Sequence, residues 1–309
     1  MKTETENITD SWKRIFKIII PYILVAGTFQ LFVFLLLGLN IHSPVEQKIS
    51  TFQFFIIHIF NFLGTVLIVW LFRRYADKES FKGLGFDAKY FVRDILRGLL
   101  IGFVIMAAGF LTLMVFDQIQ FKLFEFEPVD LILSIGIFII VALTEELLVR
   151  GYVLGNLLNS LNKYVALIVS SAIFSLLHVG NPNINWFAFV DLFLAGVLLG
   201  LSYIYTKNLW FPIALHFSWN FFQGTIFGFN VSGIDSYSFI NFGRLQNNIW
   251  NGGAFGFEGS VLSVMFQLVA ILSVFLIFRN SNVESHFKID DTMLLINSTL
   301  VHSRDKMNS

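Results

Sequence analysis

Three short groupings place acid–base and strongly polar side chains inside otherwise apolar stretches: Glu145, Glu146 and Arg150, then His178, then His216 with Asn220. A charge near the middle of a bilayer costs about 3 kcal/mol on insertion scales and more in simulations, so such residues in greasy helices read as a working site. Residues four apart share a helix face, which makes Glu146 and Arg150 an internal ion pair that neutralises both charges. Glu145 lies about 100° around the helix from Glu146 and is free to act as a general base on water. His216 and Asn220 also share a face. An imidazole beside a carboxamide offers two donors suited to a developing oxyanion; the plainer reading is interhelical hydrogen bonding.

The elements that carry these groups are membrane helices. Of 309 residues, 56% are hydrophobic and 14% charged, and the mean hydropathy is +0.72. A helix needs about 20 apolar residues to cross a core of about 30 Å. Runs at roughly 18–39, 51–72, 98–116, 130–157, 164–180, 186–206, 209–228 and 259–278 meet or approach that length, giving an all-α polytopic membrane protein of about eight spans. Lys and Arg gather on the cytoplasmic side of membrane proteins. With a cytoplasmic start, only Lys48, Lys122 and Arg244 fall outside, and 17 of the 21 Lys and Arg fall inside once intramembrane Arg150 is set apart. Both termini are therefore expected in the cytoplasm, at the plasma membrane if the chain is bacterial.

The organisation follows: a polar tail at 1–14, a helical bundle at 15–279 with its chemistry at about 130–228, and a polar tail at 280–309. The basic connection from Arg73 to Arg97, with Phe81, Leu84, Phe86, Tyr90 and Phe91 among its charges, suits the inner headgroup layer, or else an ordinary solvated loop. The Gly- and Asn-rich stretch 230–259 forms the largest outer loop. The net charge of zero says nothing about nucleic acid, but no basic reading element is visible, so none is expected as a partner; membrane lipids are. Having no cysteine, the chain has no disulfides and no thiol catalysis.

A site needs convergence. Spans four and five form a hairpin turning at Asn159 to Lys163, and Glu145 and His178 each lie about 24 Å from its pivot at about 1.5 Å per residue, hence at matching depth. His216 begins only about 10 Å beyond its own turn at Lys207, so it joins them only if that connection sinks into the protein or the helix tilts.

In this order the residues resemble the CPBP intramembrane proteases, a family that includes type II CAAX prenyl endopeptidases and bacterial Abi-type proteins. The first motif, E-E-x-x-x-R, is met by Glu145, Glu146 and Arg150, followed by Gly151 and Tyr152; F-x-x-x-H is met by Phe174 and His178, with Asn181 beyond; H-x-x-x-N is met by His216 and Asn220. The resemblance covers about residues 140–225. It implies hydrolysis of a peptide bond in a membrane-anchored protein or peptide. Glu145 would activate the water with help from His178, His216 and Asn220 would hold the oxyanion, and Glu146, braced by Arg150, would support the site. Such proteins are often described as metalloendopeptidases, and two His and a Glu suit a catalytic zinc set. Here there is no H-E-x-x-H helix and Asn is a poor zinc ligand, so Glu-activated water without a required cofactor is favoured; a divalent metal such as zinc, if used, would fall to Glu145, His178 and His216.

The competing functions are a non-catalytic scaffold or bacteriocin-immunity protein of the same fold, and a transporter. Asp191 reads as an interfacial carboxylate able to reach water, His58 with Asn61 as helix packing, and Trp12, Trp70, Trp186 and Trp210 as an interfacial belt.

Overall fold

The computed structural model describes residues 4–41, 48–244 and 246–280, with side chains from Trp12 onward; the expected tail after Asn280 lies outside the described residues. In chain order the elements are α1 (Glu4–Leu36), α2 (Thr51–Leu71), α3 (Phe91–Val115), β1 (Ile119–Phe124), α4 (Pro128–Glu146), α5 (Lys163–Leu177), α6 (Trp186–Thr206), α7 (Trp210–Asn220), β2 (Ile240–Arg244) and α8 (Val261–Phe278). Three helices continue as wider π-helical turns: α2 through Phe72–Asp77, α4 through Leu147–Leu154 and a last turn at Gly155–Leu157, and α7 through Phe221–Ile226.

The protein is thus an all-α polytopic membrane protein. Six stretches are long and apolar enough to cross a membrane: Trp12–Leu36, Thr51–Asp77, Phe91–Val115, Pro128–Leu157, Trp186–Thr206 and Val261–Phe278. Helices α5 and α7 fill the other two expected positions but are shorter. Helix starts are set by polar caps: Ser50 and Gln53 make a reciprocal capping box on α2, and Asn162, Asn185 and Ser260 accept from the first turns of α5, α6 and α8. Helix α1 begins within the stretch expected to be a polar tail. No local signal marks the two-stranded ribbon in which β1 pairs antiparallel with β2, joining the α3–α4 connection to the loop at 230–259.

Apolar side chains on α1 and α3, such as Ile20, Leu24, Leu100 and Val104, face outward, as lipid contact requires. Between helices, small residues permit close approach. A Cβ on Gly98 would come within 2.7 Å of Leu215 N, and one on Gly102 within 2.6 Å of Ser218 Cβ, so this Gly-x-x-x-Gly face lets α7 lie directly against α3. The Ser218 hydroxyl donates to Leu99 O at 2.7 Å and fixes that contact. Gly196 of α6 packs in the same way on Ser171 of α5.

The connection between α6 and α7 sinks into the protein. Asn208, Leu209 and Phe211 are buried, the Leu209 N–H donates to Gly85 O at 2.8 Å, and Asn208 Nδ2 donates to Asp87 O at 2.7 Å. The segment covering them is the basic connection after α2, whose Leu84 is fully buried and whose Leu84 carbonyl accepts from the Tyr203 hydroxyl at 3.0 Å. It is therefore not a freely solvated loop.

Candidate active site

Helix α4 delivers Glu145 and Glu146 at its last regular turn, and α7 delivers His216 and Asn220 at its last regular turn; each then widens into a π-helical turn. Such turns add a residue and redirect the side chains around them, and they recur at functional sites. His178 caps the C-terminus of α5 at φ −98° and ψ 0°.

These elements bring the four side chains to one cavity of about 380 Å³, whose walls include Glu145, His178, His216 and Asn220. Glu145 Oε2 stands 3.7 Å from His178 Nε2 and 3.9 Å from His216 Nε2. Those gaps are too long for a direct hydrogen bond and suit a small group bridging the three atoms. Glu145 Oε2 has no hydrogen-bond partner among the described residues.

Tautomers follow from the far sides of the rings. His178 Nδ1 lies 2.8 Å from Phe174 O, and a carbonyl only accepts, so Nδ1 carries the proton and Nε2 turns towards Glu145. His216 Nδ1 lies 2.8 Å from Glu146 Oε1, and the same oxygen accepts from Arg150 NH1 at 2.7 Å. A carboxylate already engaged by a guanidinium is an acceptor, so His216 donates through Nδ1 and has only Nε2 for the cavity.

Glu146 and Arg150 are 0% and 1% exposed and lie behind the cavity wall. The ion pair expected from their spacing is present; the bond from Glu146 to His216 was not foreseen, because sequence spacing within α4 says nothing about α7. Arg150 also donates to Gly196 O at 3.1 Å and stacks 4.4 Å from the Phe174 ring centre. Phe174 sits 4.7 Å from the His178 ring, so the aromatic of the second motif touches both the guanidinium and that imidazole.

Other residues of the cavity were missed. Glu258, just ahead of α8, lines it and accepts from Trp219 Nε1 at 3.2 Å, Ser232 N at 2.7 Å and Ser232 Oγ at 2.9 Å. Asn181 Nδ2 donates to Ser232 O at 3.1 Å, so the loop at 230–259 is tied down over the chamber from two sides. The only available signal was an isolated carboxylate between glycines before an apolar run. His58, expected to be packing, lines the cavity from α2 beside Tyr22 of α1, with its ring edge-on to Phe54 at 4.5 Å. Asp191, expected to reach water, is fully buried and lies behind the cavity wall.

The donor types of Glu145, His178 and His216 suit a divalent metal, since both Nδ1 atoms are held by acceptors and both Nε2 atoms face the same carboxylate. As placed, however, no group of three or more His, Cys, Asp or Glu among the described residues is close enough together to hold one.

Comparison with known proteins gives two findings. Residues 127–222 match the family described as Type II CAAX prenyl endopeptidase Rce1-like. The chain is also 36% identical over 89 residues to the UPF0177 protein YxdF of Lactococcus lactis subsp. lactis (strain IL1403), a match covering 28% of this chain and 45% of that relative. The chain therefore spans less than half the length of the curated relative it matches. No solved structure matches. The matched segment contains all seven motif residues, from Glu145 to Asn220.

Proposed function

We propose that this CAAX-protease-like membrane protein is an intramembrane endopeptidase that hydrolyses a peptide bond of a membrane-associated substrate. The observation that carries the reading is the convergence of Glu145, His178, His216 and Asn220 on one chamber whose other walls are mostly apolar. A cavity of about 380 Å³ is of the size that takes a small ligand or a short stretch of peptide.

In this mechanism Glu145 takes a proton from water as the water oxygen bonds to the carbonyl carbon. The carbonyl π electrons move onto oxygen, and that oxyanion is held by Asn220 Nδ2–H and His216 Nε2–H. Because His216 Nδ1 is already given to Glu146, the ring donates into the cavity only as an imidazolium. Glu146 favours that cation, and Arg150 holds Glu146 in place. The C–N bond then breaks as the proton passes from Glu145, with His178 Nε2 nearby to relay it, to the leaving nitrogen. No step requires a metal. A metal bound by Glu145, His178 and His216 would polarise the carbonyl and acidify the water, the chemistry here assigned to the side chains.

The test uses purified protein in detergent and a peptide ending in a farnesylated CAAX sequence, with a fluorophore and quencher flanking the modified cysteine. An unprenylated copy and a transmembrane peptide serve as further probes. Wild-type cleavage of any of them, absent from a folded Glu145→Ala variant, supports the reading. Cleavage of none, or equal cleavage by the variant, overturns it.

A further inference from the structure

A second cavity of about 370 Å³ opens at the end of α2, away from the chamber described above, and its walls include Arg73, Arg74 and Lys78. The π-helical turn Phe72–Asp77 builds it. The extra residue in that turn directs Arg73 inward, where it is 6% exposed, while Arg74 and Lys78 remain exposed on the rim. Lys78 ends the turn in the left-handed region at φ 61°. Trp70 and Phe81 form the aromatic sides.

The charges do not cancel. Glu79 also lines the cavity, but its carboxylate is taken by Arg73 NH2 at 2.6 Å. Behind the wall, Asp77 lies 3.8 Å from Arg73 NH1 and 3.7 Å from Arg14 Nε. Arg73 Nε is buried and has no partner among the described residues. The end of a helix adds about half a negative charge, less than the surplus left by Arg74 and Lys78. A basic cleft between a Trp and a Phe, at the end of a membrane span, lies where lipid headgroups lie.

We propose that this cleft is a binding site for a phosphate group, with Arg74 and Lys78 as its outer donors and the Arg73 guanidinium in its inner wall. The phosphate comes either from an anionic lipid headgroup seated with its chains along α2, or from a free phosphate ion. A cation near an anionic lipid surface contributes enough to change affinity about fivefold, so losing two weakens binding about 30-fold.

The test measures the thermal unfolding midpoint of the full chain in uncharged detergent during titration with short-chain phosphatidylglycerol, short-chain phosphatidylcholine or inorganic phosphate. The comparison variant is Arg74→Gln with Lys78→Gln; both residues are exposed and outside the catalytic chamber. Saturable stabilisation by phosphatidylglycerol but not phosphatidylcholine, half-maximal at about 30-fold higher concentration in the variant, supports a lipid site. The same pattern with inorganic phosphate supports a free-anion site. Stabilisation by neither, or equal stabilisation of variant and wild type, overturns the proposal. Peptidase activity enters neither arm, so the outcome stands apart from that of the cleavage assay.

Discussion

Glu146 accepts a hydrogen bond from His216 Nδ1 at 2.8 Å and from Arg150 at 2.7 Å through the same oxygen, so one buried carboxylate joins the first and third motifs. Replacing it by Gln removes the charge that favours the imidazolium and leaves Arg150 buried and uncompensated. Breaking a buried pair in this way costs about 3 to 5 kcal/mol. Peptidase kcat should fall about a thousandfold. Adding Arg150→Met should return most of the unfolding midpoint and none of the activity. A double variant that regains activity as well would show that Glu146 serves only to hold the fold.

Gly102 sets how closely α7 approaches α3, because a Cβ there meets Ser218 two residues before Asn220. Gly102→Val should cost about 1 to 3 kcal/mol by overpacking. By displacing His216 and Asn220 it should also lower kcat/KM about tenfold or more. The check is unfolding midpoint and turnover measured on one preparation. Full turnover at full stability would mean that this contact does not position the site.

Lys207 lies outside the spans, at the buried turn into α7, and burial pushes its ammonium down to about 8 from an ordinary 10.5. A Lys depressed in this way binds fewer protons folded than unfolded. Its penalty is therefore complete below about 8 and fades as pH rises towards 10.5. Lys207→Met should raise stability by about 1 to 3 kcal/mol at pH 7, allowing for partial solvent access. The gain should shrink steadily in melts taken at higher pH. A gain independent of pH would point to the added apolar contact instead.

Metal removal separates the two accounts of the chemistry. With Glu145 as the base and His216 and Asn220 as the oxyanion donors, prolonged chelation followed by dialysis should leave kcat within about twofold. Loss of turnover that returns when zinc is restored would assign the water to a metal held by Glu145, His178 and His216.

What the sequence revealed divides along physical lines. The helices were legible because long apolar runs and basic loops are properties of single segments. Glu145 and His178 could be brought to one depth because a short hairpin ties their helices together. His216 could not, because its depth depends on Asn208 and Leu209 being buried beneath a basic connection that its charges place outside the bilayer core. The Glu146–His216 bond, the glycine face of α3 and the contributions of His58 and Glu258 are relations between distant segments, and no local pattern encodes them. Nor does any local pattern mark the β1–β2 ribbon, whose strands are more than a hundred residues apart.

The central claim is that Glu145 activates the water attacking a peptide bond held against His216 and Asn220. Its most direct test is Glu145→Gln, which keeps the shape and removes the base, assayed on whichever peptide the wild type cleaves. The account expects kcat to fall at least a hundredfold, with substrate affinity and unfolding midpoint unchanged. A Glu145→Gln protein that retains kcat within about threefold would contradict it.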